Sequence, residues 1–286
     1  IGFCQWKAII TEKINYNEVF KKEYFKSEDT SLIFKYFFTK KNDKFLYNYS
    51  LKYSSFYEVD TFTKKLLFSS FPEIQNITWN ESPSKDIGWG FQLHSFKIIK
   101  FLMYSFKKSQ EIDYLLFSQK LYIDWCKKNI VKDLPSVLAW NDHTTALRLE
   151  KLMFLYSFIR YHGNIYPGFE RECLNLIYKS CEILSREDFY SKGTNHGLFQ
   201  SYILFWAGSV FFEFEKSEKW RTIGLERLQF EIENQFTSEA VHKENSPGYH
   251  QAIFRQSLQI LNIVGNYNVD VLRDQAMVSF LRQLRG

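Results

Sequence analysis

From about residue 88 onward, apolar residues recur every three or four positions, the repeat of helices that each bury one face. The pattern predicts eight helical segments, near 90–108, 112–128, 142–161, 170–186, 197–213, 218–236, 247–265 and 270–285. In the third, Ala146, Leu149, Leu152, Met153, Tyr156 and Ile159 fall on one face; in the sixth, Trp220, Ile223, Leu228, Ile232 and Phe236 do the same. Residues 1–70 are different. They are rich in Lys, Phe, Tyr and Asn, and short stretches such as Ile33 to Phe38 fit strand or helix equally. This divides the chain into an irregular, mixed segment over 1–70 and a helical domain over 71–286.

Local signals mark several helix ends. Asp142 is placed to cap the third segment, Thr194 or Asn195 the fifth, and Ser246-Pro247 reads as N-cap and first helical residue of the seventh. Turn residues punctuate the breaks, as in His162-Gly163-Asn164 and Tyr166-Pro167-Gly168. Short connections between consecutive helices imply antiparallel neighbours, so the expected fold is all-α, either an α/α toroid of helical hairpins or an irregular bundle. In such an arrangement alternate helices start at the same end. One end then collects Trp89 and His94, Trp140 and His143, Asn195 and His196, and Tyr249 and His250. Four of the six histidines gather there, beside amides and aromatics, where helix N-termini offer free N–H groups and favour a bound carboxylate.

Charge narrows the choice of ligand. The formal net charge is +5, but residues 1–70 hold 12 Lys and Arg against 8 Asp and Glu, so the helical part is nearly neutral. It has no basic stripe to track phosphates, which argues against nucleic acid. An anionic ligand would be held by a local cluster. Aromatic residues reach 19%, which fits a wide aromatic core or a sugar-binding surface. Cys4, Cys126, Cys173 and Cys181 form no CxxC, and eight residues of helix separate the last two; all four read as buried thiols. The longest uncharged run, Gly193 to Phe212, carries too many polar and glycine residues for a membrane span and reads as a buried helix.

Three constellations carry candidate chemistry. Gly193-Thr194-Asn195-His196-Gly197 is either a capped helix start or an amide and an imidazole projected into a cleft, the one able to hold a carboxylate and the other to move a proton. Glu244-Asn245-Ser246-Pro247-Gly248-Tyr249-His250 is either a Ser-Pro helix start with a half-buried aromatic or a source of a Tyr acid or base. Trp140-Asn141-Asp142-His143, leading to Arg148, is either a cap with a surface ion pair or a sugar platform with a guanidinium for an acidic group. Trp79, Trp89 and Trp206 read as core. No Walker loop, GxGxxG, HExxH or GxSxG occurs, and His242 and His250 are poorly spaced for a metal pair.

Taken in order, Trp140-Asn141-Asp142-His143-Thr144-Thr145-Ala146-Leu147-Arg148, Asn195-His196-Gly197 and Glu244 through His250 resemble the N-terminal helical domain of the heparinase II/III-like polysaccharide lyases. The stretch from Ile77 to Leu93, with Trp79 and Trp89, and then His94, resembles the lead-in to that domain. The likeness spans roughly 70–286. It implies an incomplete α/α toroid followed by a β-sandwich domain that is missing from this chain and supplies a further catalytic group. It also implies β-elimination at a uronic acid of an anionic polysaccharide. By this resemblance Asn195 neutralises the carboxylate, His196 is a neighbouring catalytic or binding imidazole, and Tyr249 is the acid/base. Trp140, His143, Arg148, Gln200, Glu244 and His250 are the expected substrate contacts. No metal or other cofactor, no nucleic acid and no membrane span is expected, and a periplasmic or secreted bacterial protein is the location that the resemblance implies. Two other readings stay open: a non-catalytic module that binds or guides an anionic polysaccharide in capsule or exopolysaccharide assembly, and a toroidal glycoside hydrolase using carboxylates such as Asp142 and Glu244.

Overall fold

A computed structural model of the chain describes residues 77–80, 87–130, 136–163, 166, 169–237 and 241–243. Seven α-helices occur among them: α1 (Ile87–His94), α2 (Lys97–Ser109), α3 (Asp113–Asn129), α4 (Asp142–His162), α5 (Phe169–Leu184), α6 (Asn195–Val210) and α7 (Ser217–Gln235). Short 3-10 turns at Val137–Trp140 and Glu187–Phe189 precede α4 and α6. Phe236 and His242 form an isolated antiparallel bridge. The boundary expected near residue 70 and the last two expected helices lie outside the described residues, as does Cys4. Contacts separate the described residues into two units, one ending at Ile183 and one beginning at Leu184.

The first unit departs from the expected pattern at its start. A single helix over 90–108 is predicted, but α1 and α2 are separate, and Phe96 between them adopts φ 61. A bulky residue rarely enters this left-handed region, at a cost of roughly 1–2 kcal/mol. Burial of its ring offsets that cost, since fully burying a Phe contributes about 1.5–3 kcal/mol. The Phe96 ring meets Trp125 edge-on at 5.3 Å and Tyr122 at 6.2 Å.

Ring contacts also give the helix directions. Phe96, at the start of α2, meets the latter half of α3, so these two helices are antiparallel. Phe106, near the end of α2, meets Phe158 and His162 at the end of α4, so α2 and α4 run the same way. The alternation expected from short connections therefore holds from α2 to α4.

α4 is buried on nearly all sides, including every member of the face predicted for it. Its cap differs by one residue from expectation. Asn141, not Asp142, holds the N-cap: its side-chain oxygen accepts from the backbone N–H of His143 at 3.0 Å and of Thr144 at 3.3 Å. Gly163 closes the helix at φ 69, donating its N–H to the Ile159 carbonyl. Glu170 of α5 then accepts from Arg160 at 2.6 Å and from Tyr156 at 3.1 Å, tying the end of α4 to the start of α5.

Cys126, Cys173 and Cys181 are free and buried. Burial pushes the Cys126 thiol up to about 12 and the other two well above the usual range, so these are packing groups, not reactive thiolates.

His94 gives this unit a pH dependence. It is buried, and its Nδ1 accepts the Trp125 indole N–H at 3.1 Å, which requires a neutral ring. Burial, reinforced by the nearby Arg148 charge, pushes its pKa down from 6.5 to about 4. The unfolded chain therefore binds this proton more readily than the folded one. The stability from His94 is complete above pH 6.5, is lost as pH falls toward 4, and changes little below that. The loss is on the order of 3 kcal/mol. Denaturant midpoints measured from pH 7 to pH 4 should fall over this window, and His94→Gln should flatten that part of the curve. An identical pH profile for the variant would show that His94 carries no such load.

In the second unit, α6 and α7 pack antiparallel at short range. A methyl group on Gly208 would lie 2.7 Å from the Ser217 carbonyl and from the Arg221 amide, and one on Gly224 would run into the Phe205 backbone. Glycine at both positions lets the two backbones approach. α6 is buried from Gly197 to Val210, which explains why its sequence carries no charge and bears out the buried-helix reading. Trp206 within it, like Trp79 in the first unit, is core as expected.

Candidate functional site

The start of α6 is built with unusual redundancy. Thr194 is the N-cap: its Oγ1 accepts from the Gly197 N–H at 3.1 Å and donates to the Ser191 carbonyl at 2.7 Å. Asn195 and His196 are thus the first two residues of the helix, both half-buried. Gly193 precedes the cap at φ 75, a conformation that glycine adopts without steric cost.

Three buried side chains hold this turn from below. Gln200, one turn into α6, accepts from the Ser191 N–H at 2.9 Å and donates to the Phe189 carbonyl at 3.0 Å. Gln235, at the end of α7, donates to the Thr194 carbonyl at 2.8 Å. Glu231, fully buried one turn earlier on α7, accepts the Gly193 N–H at 2.9 Å. It also accepts the Tyr190 hydroxyl and the Gln235 amide. Gly197 completes the fit. A methyl group there would lie 2.6 Å from a Glu231 oxygen and would strike the Ser191 carbonyl.

Tyr190 closes the other side of the turn. Arg227 stacks over its ring at 4.3 Å and donates to the carbonyls of Leu184 and Ser185 and to the Glu187 carboxylate. Burial, and then the Glu231 carboxylate that accepts its proton, push the Tyr190 pKa well above the ordinary phenol value. Tyr190 is therefore a hydrogen-bond donor at neutral pH and unsuited to act as a base.

In the first unit, the ends of α1 and α3 meet the start of α4. Arg148 is fully buried here, with its guanidinium 4.3 Å from the Trp125 ring centre and 4.9 Å from that of Trp140. It donates to the carbonyls of His94 at 3.1 Å and Ala139 at 2.6 Å. Trp140 is buried too, tilted against Trp125 at 5.9 Å, with its indole N–H on the Asn129 carbonyl. His143 is half-buried in the first turn of α4.

These placements revise part of the sequence reading. Arg148 was expected to reach an acidic group or to form a surface ion pair; instead it is a buried core residue packed against two indoles, with no surface to offer a ligand. Trp140 is its stacking partner and not an open sugar platform. Gln200 is a buried brace for the turn before Asn195. The gathering of His94, Trp140 and His143 at one end of the first unit is as expected, yet His94 belongs to the core. Glu244, Tyr249 and His250 lie outside the described residues. Glu231, Tyr190 and Gln235 went unremarked in the sequence. The available signal was a carboxylate and an amide on the same helical face as Trp220, Leu228 and Ile232.

Among the described residues no group of three or more His, Cys, Asp or Glu could hold a metal ion, and no helix is long and apolar enough to cross a membrane.

Comparison with known proteins adds the family. The family model described as Heparinase II/III N-terminus matches residues 19–283. Heparin-sulfate lyase of Bacteroides stercoris is 28% identical over 221 residues, covering 70% of this chain and 33% of the relative. Heparin-sulfate lyase of Pedobacter heparinus is 28% identical over 181 residues, covering 62% of this chain and 27% of the relative. The chain thus spans about a third of the length of the curated relatives it matches. Among solved structures, heparan sulfate lyase HepC from Pedobacter heparinus superimposes with a TM-score of 0.69 at 20% identity, covering 98% of this chain and 47% of that one. A structure of heparinase III gives 0.62 at 19% identity, covering 98% and 41%. These likenesses show the fold, and they bear out the all-α, toroid-type architecture expected from the sequence.

Proposed function

The chain belongs to the heparinase II/III N-terminus family, and from that premise we propose that it is the helical part of a polysaccharide lyase acting on a uronate-containing polymer. The observation that carries the proposal is the braced helix start that presents Asn195 and His196. Helix N-termini favour bound anions, and an amide N–H there can donate to a uronate carboxylate.

In the proposed reaction the Asn195 amide N–H donates to the substrate carboxylate. This stabilises the negative charge that spreads onto it when the C5 proton leaves, an effect of the oxyanion-hole kind. Tyr249, or His196 beside Asn195, takes the C5 proton. The C4–O4 bond then breaks, a C4–C5 double bond forms, and O4 leaves with a proton from Tyr249. One Tyr serves both transfers if proton and leaving group lie on the same face of the ring. His143, Glu244 and His250 remain the proposed substrate contacts. Each step uses side chains and calls on no cofactor. A further catalytic group and one wall of the cleft are expected from a β-sandwich domain beyond this chain.

Heparan sulfate is the favoured polymer, because the relatives named above are heparin-sulfate lyases; those names also favour elimination over hydrolysis and over binding alone. The likeness to bacterial heparin-sulfate lyases favours a periplasmic or secreted location. The test is to offer the natural full-length protein heparan sulfate, hyaluronan and alginate while following ultraviolet absorbance. An absorbance rise with one of these polymers is expected, from the conjugated double bond of an unsaturated product. New reducing ends without absorbance would indicate a hydrolase, and binding without either would indicate a guide module.

A further inference from the structure

We infer that Glu231 is a positioning residue for the Asn195–His196 helix start, acting through the backbone of residues 190–194. The inference rests on the reading of Asn195 and His196 as reacting-site groups and extends it to a side chain on a different helix.

A buried carboxylate on the inner face of α7 is costly unless its oxygens are satisfied. Here they are satisfied by a particular set of donors. One oxygen takes the Tyr190 hydroxyl and the Gly193 N–H, and the other takes the Gln235 amide. Two of these three partners, Tyr190 and Gly193, lie in the segment leading into Asn195. The third, Gln235, itself holds the Thr194 carbonyl. The carboxylate therefore fixes the turn at Gly193 directly and at Thr194 through one intermediary. A single methyl group on Gly197 would collide with it, so the first turn of α6 packs directly against the carboxylate.

The chemistry explains why a carboxylate occupies this position. The oxygen facing Tyr190 and Gly193 must accept twice, and the other must accept from Gln235, so an acceptor-only group is required at both ends. Glutamine would keep one acceptor and turn an N–H₂ toward the Gln235 amide. Positioning at this level bears on turnover. Displacement of a catalytic group by about 1 Å can cost on the order of 10²-fold.

The experiment uses the natural full-length protein and its Glu231→Gln variant. Two quantities are measured: hydrogen–deuterium exchange of the amides of residues 191–198, and kcat and KM on whichever uronate polymer the parent cleaves. We expect faster exchange confined to this turn, kcat reduced by about 10- to 100-fold, and KM within about threefold. Unchanged exchange at 191–198 would overturn the positioning role whatever the activity does. Faster exchange with kcat within about twofold of the parent would overturn its link to turnover. Asn195→Ala at parental turnover would instead sink the underlying site reading, and the proposal with it, while leaving exchange in the Glu231 variant altered. Should Glu231→Gln fail to fold, Tyr190→Phe and Gln235→Met each remove one arm of the network and are judged by the same two measurements.

Discussion

Tyr249→Phe in the natural full-length protein is expected to abolish most elimination activity while leaving substrate affinity nearly intact. The change deletes one hydroxyl and keeps the ring, so contacts made by the aromatic face survive. What is lost is the group proposed to deliver a proton to O4 and, with same-face geometry, to remove the C5 proton as well. A positioned acid or base contributes typically ~10²–10⁴-fold, and a residue serving both transfers belongs toward the upper end of that range. Tyr190 is not expected to substitute as a base, because burial and the hydrogen bond to Glu231 keep it protonated. Steady-state kcat with a parallel binding titration separates the two effects. Turnover within a few-fold of the parent would remove Tyr249 from the mechanism.

Loss of the Arg148 side chain is expected to destabilise the first unit by several kcal/mol. Arg148→Met keeps an unbranched, apolar side chain near the original volume, so the cavity is small. The loss is in what the guanidinium does. The carbonyls of His94 and Ala139 would lose their donor, at roughly 1–3 kcal/mol for each buried group left unsatisfied. Contact of the cation with two desolvated indole rings would also disappear, at about 2 kcal/mol. Burial disfavours the Arg148 charge itself, and relief of that cost offsets part of the loss; a net loss on the order of 2–4 kcal/mol is still large against the roughly 5–15 kcal/mol of a typical domain. Both carbonyls bond one nitrogen, Nη1, so lysine is expected to restore part of the loss but not the contact of a planar guanidinium with the two indoles. Denaturant melts of parent, Arg148→Met and Arg148→Lys check this. A midpoint shift worth less than about 1 kcal/mol in the methionine variant would show that the Arg148 contacts are not structural.

The comparison of sequence with structure divides along physical lines. α3 to α7 were legible because each carries a three- and four-residue apolar repeat or, for α6, a long uncharged run. Thr194 was among the expected caps because its side-chain oxygen has a local use. The break at Phe96 was not legible, because a Phe in the left-handed region is disfavoured locally and is held there by Trp125 and Tyr122, far away in sequence. The shift of a cap from Asp142 to Asn141 turns on one residue of helix phase, which periodicity does not resolve. Arg148 reads as an exposed cation in any composition count, and only the tertiary pairing with Trp125 and Trp140 makes it core. Glu231 is the converse case: a charge inside an apolar stripe is visible in sequence, but its partners at 190, 193 and 235 become neighbours only when α6 and α7 fold back on each other. Asn195 and His196 were thus legible as the start of α6, while the side chains that brace that start were not.

The proposed reaction breaks a glycosidic linkage by elimination and not by hydrolysis, and the two differ by one water in the products. The most direct measurement is the mass spectrum of oligosaccharides released from heparan sulfate by the natural full-length protein. The account predicts that the new non-reducing ends lack one water relative to the hydrolytic product and carry an unsaturated uronate, and that Asn195→Ala suppresses their formation by roughly 10²–10³-fold. Products that retain the full mass of added water would contradict it.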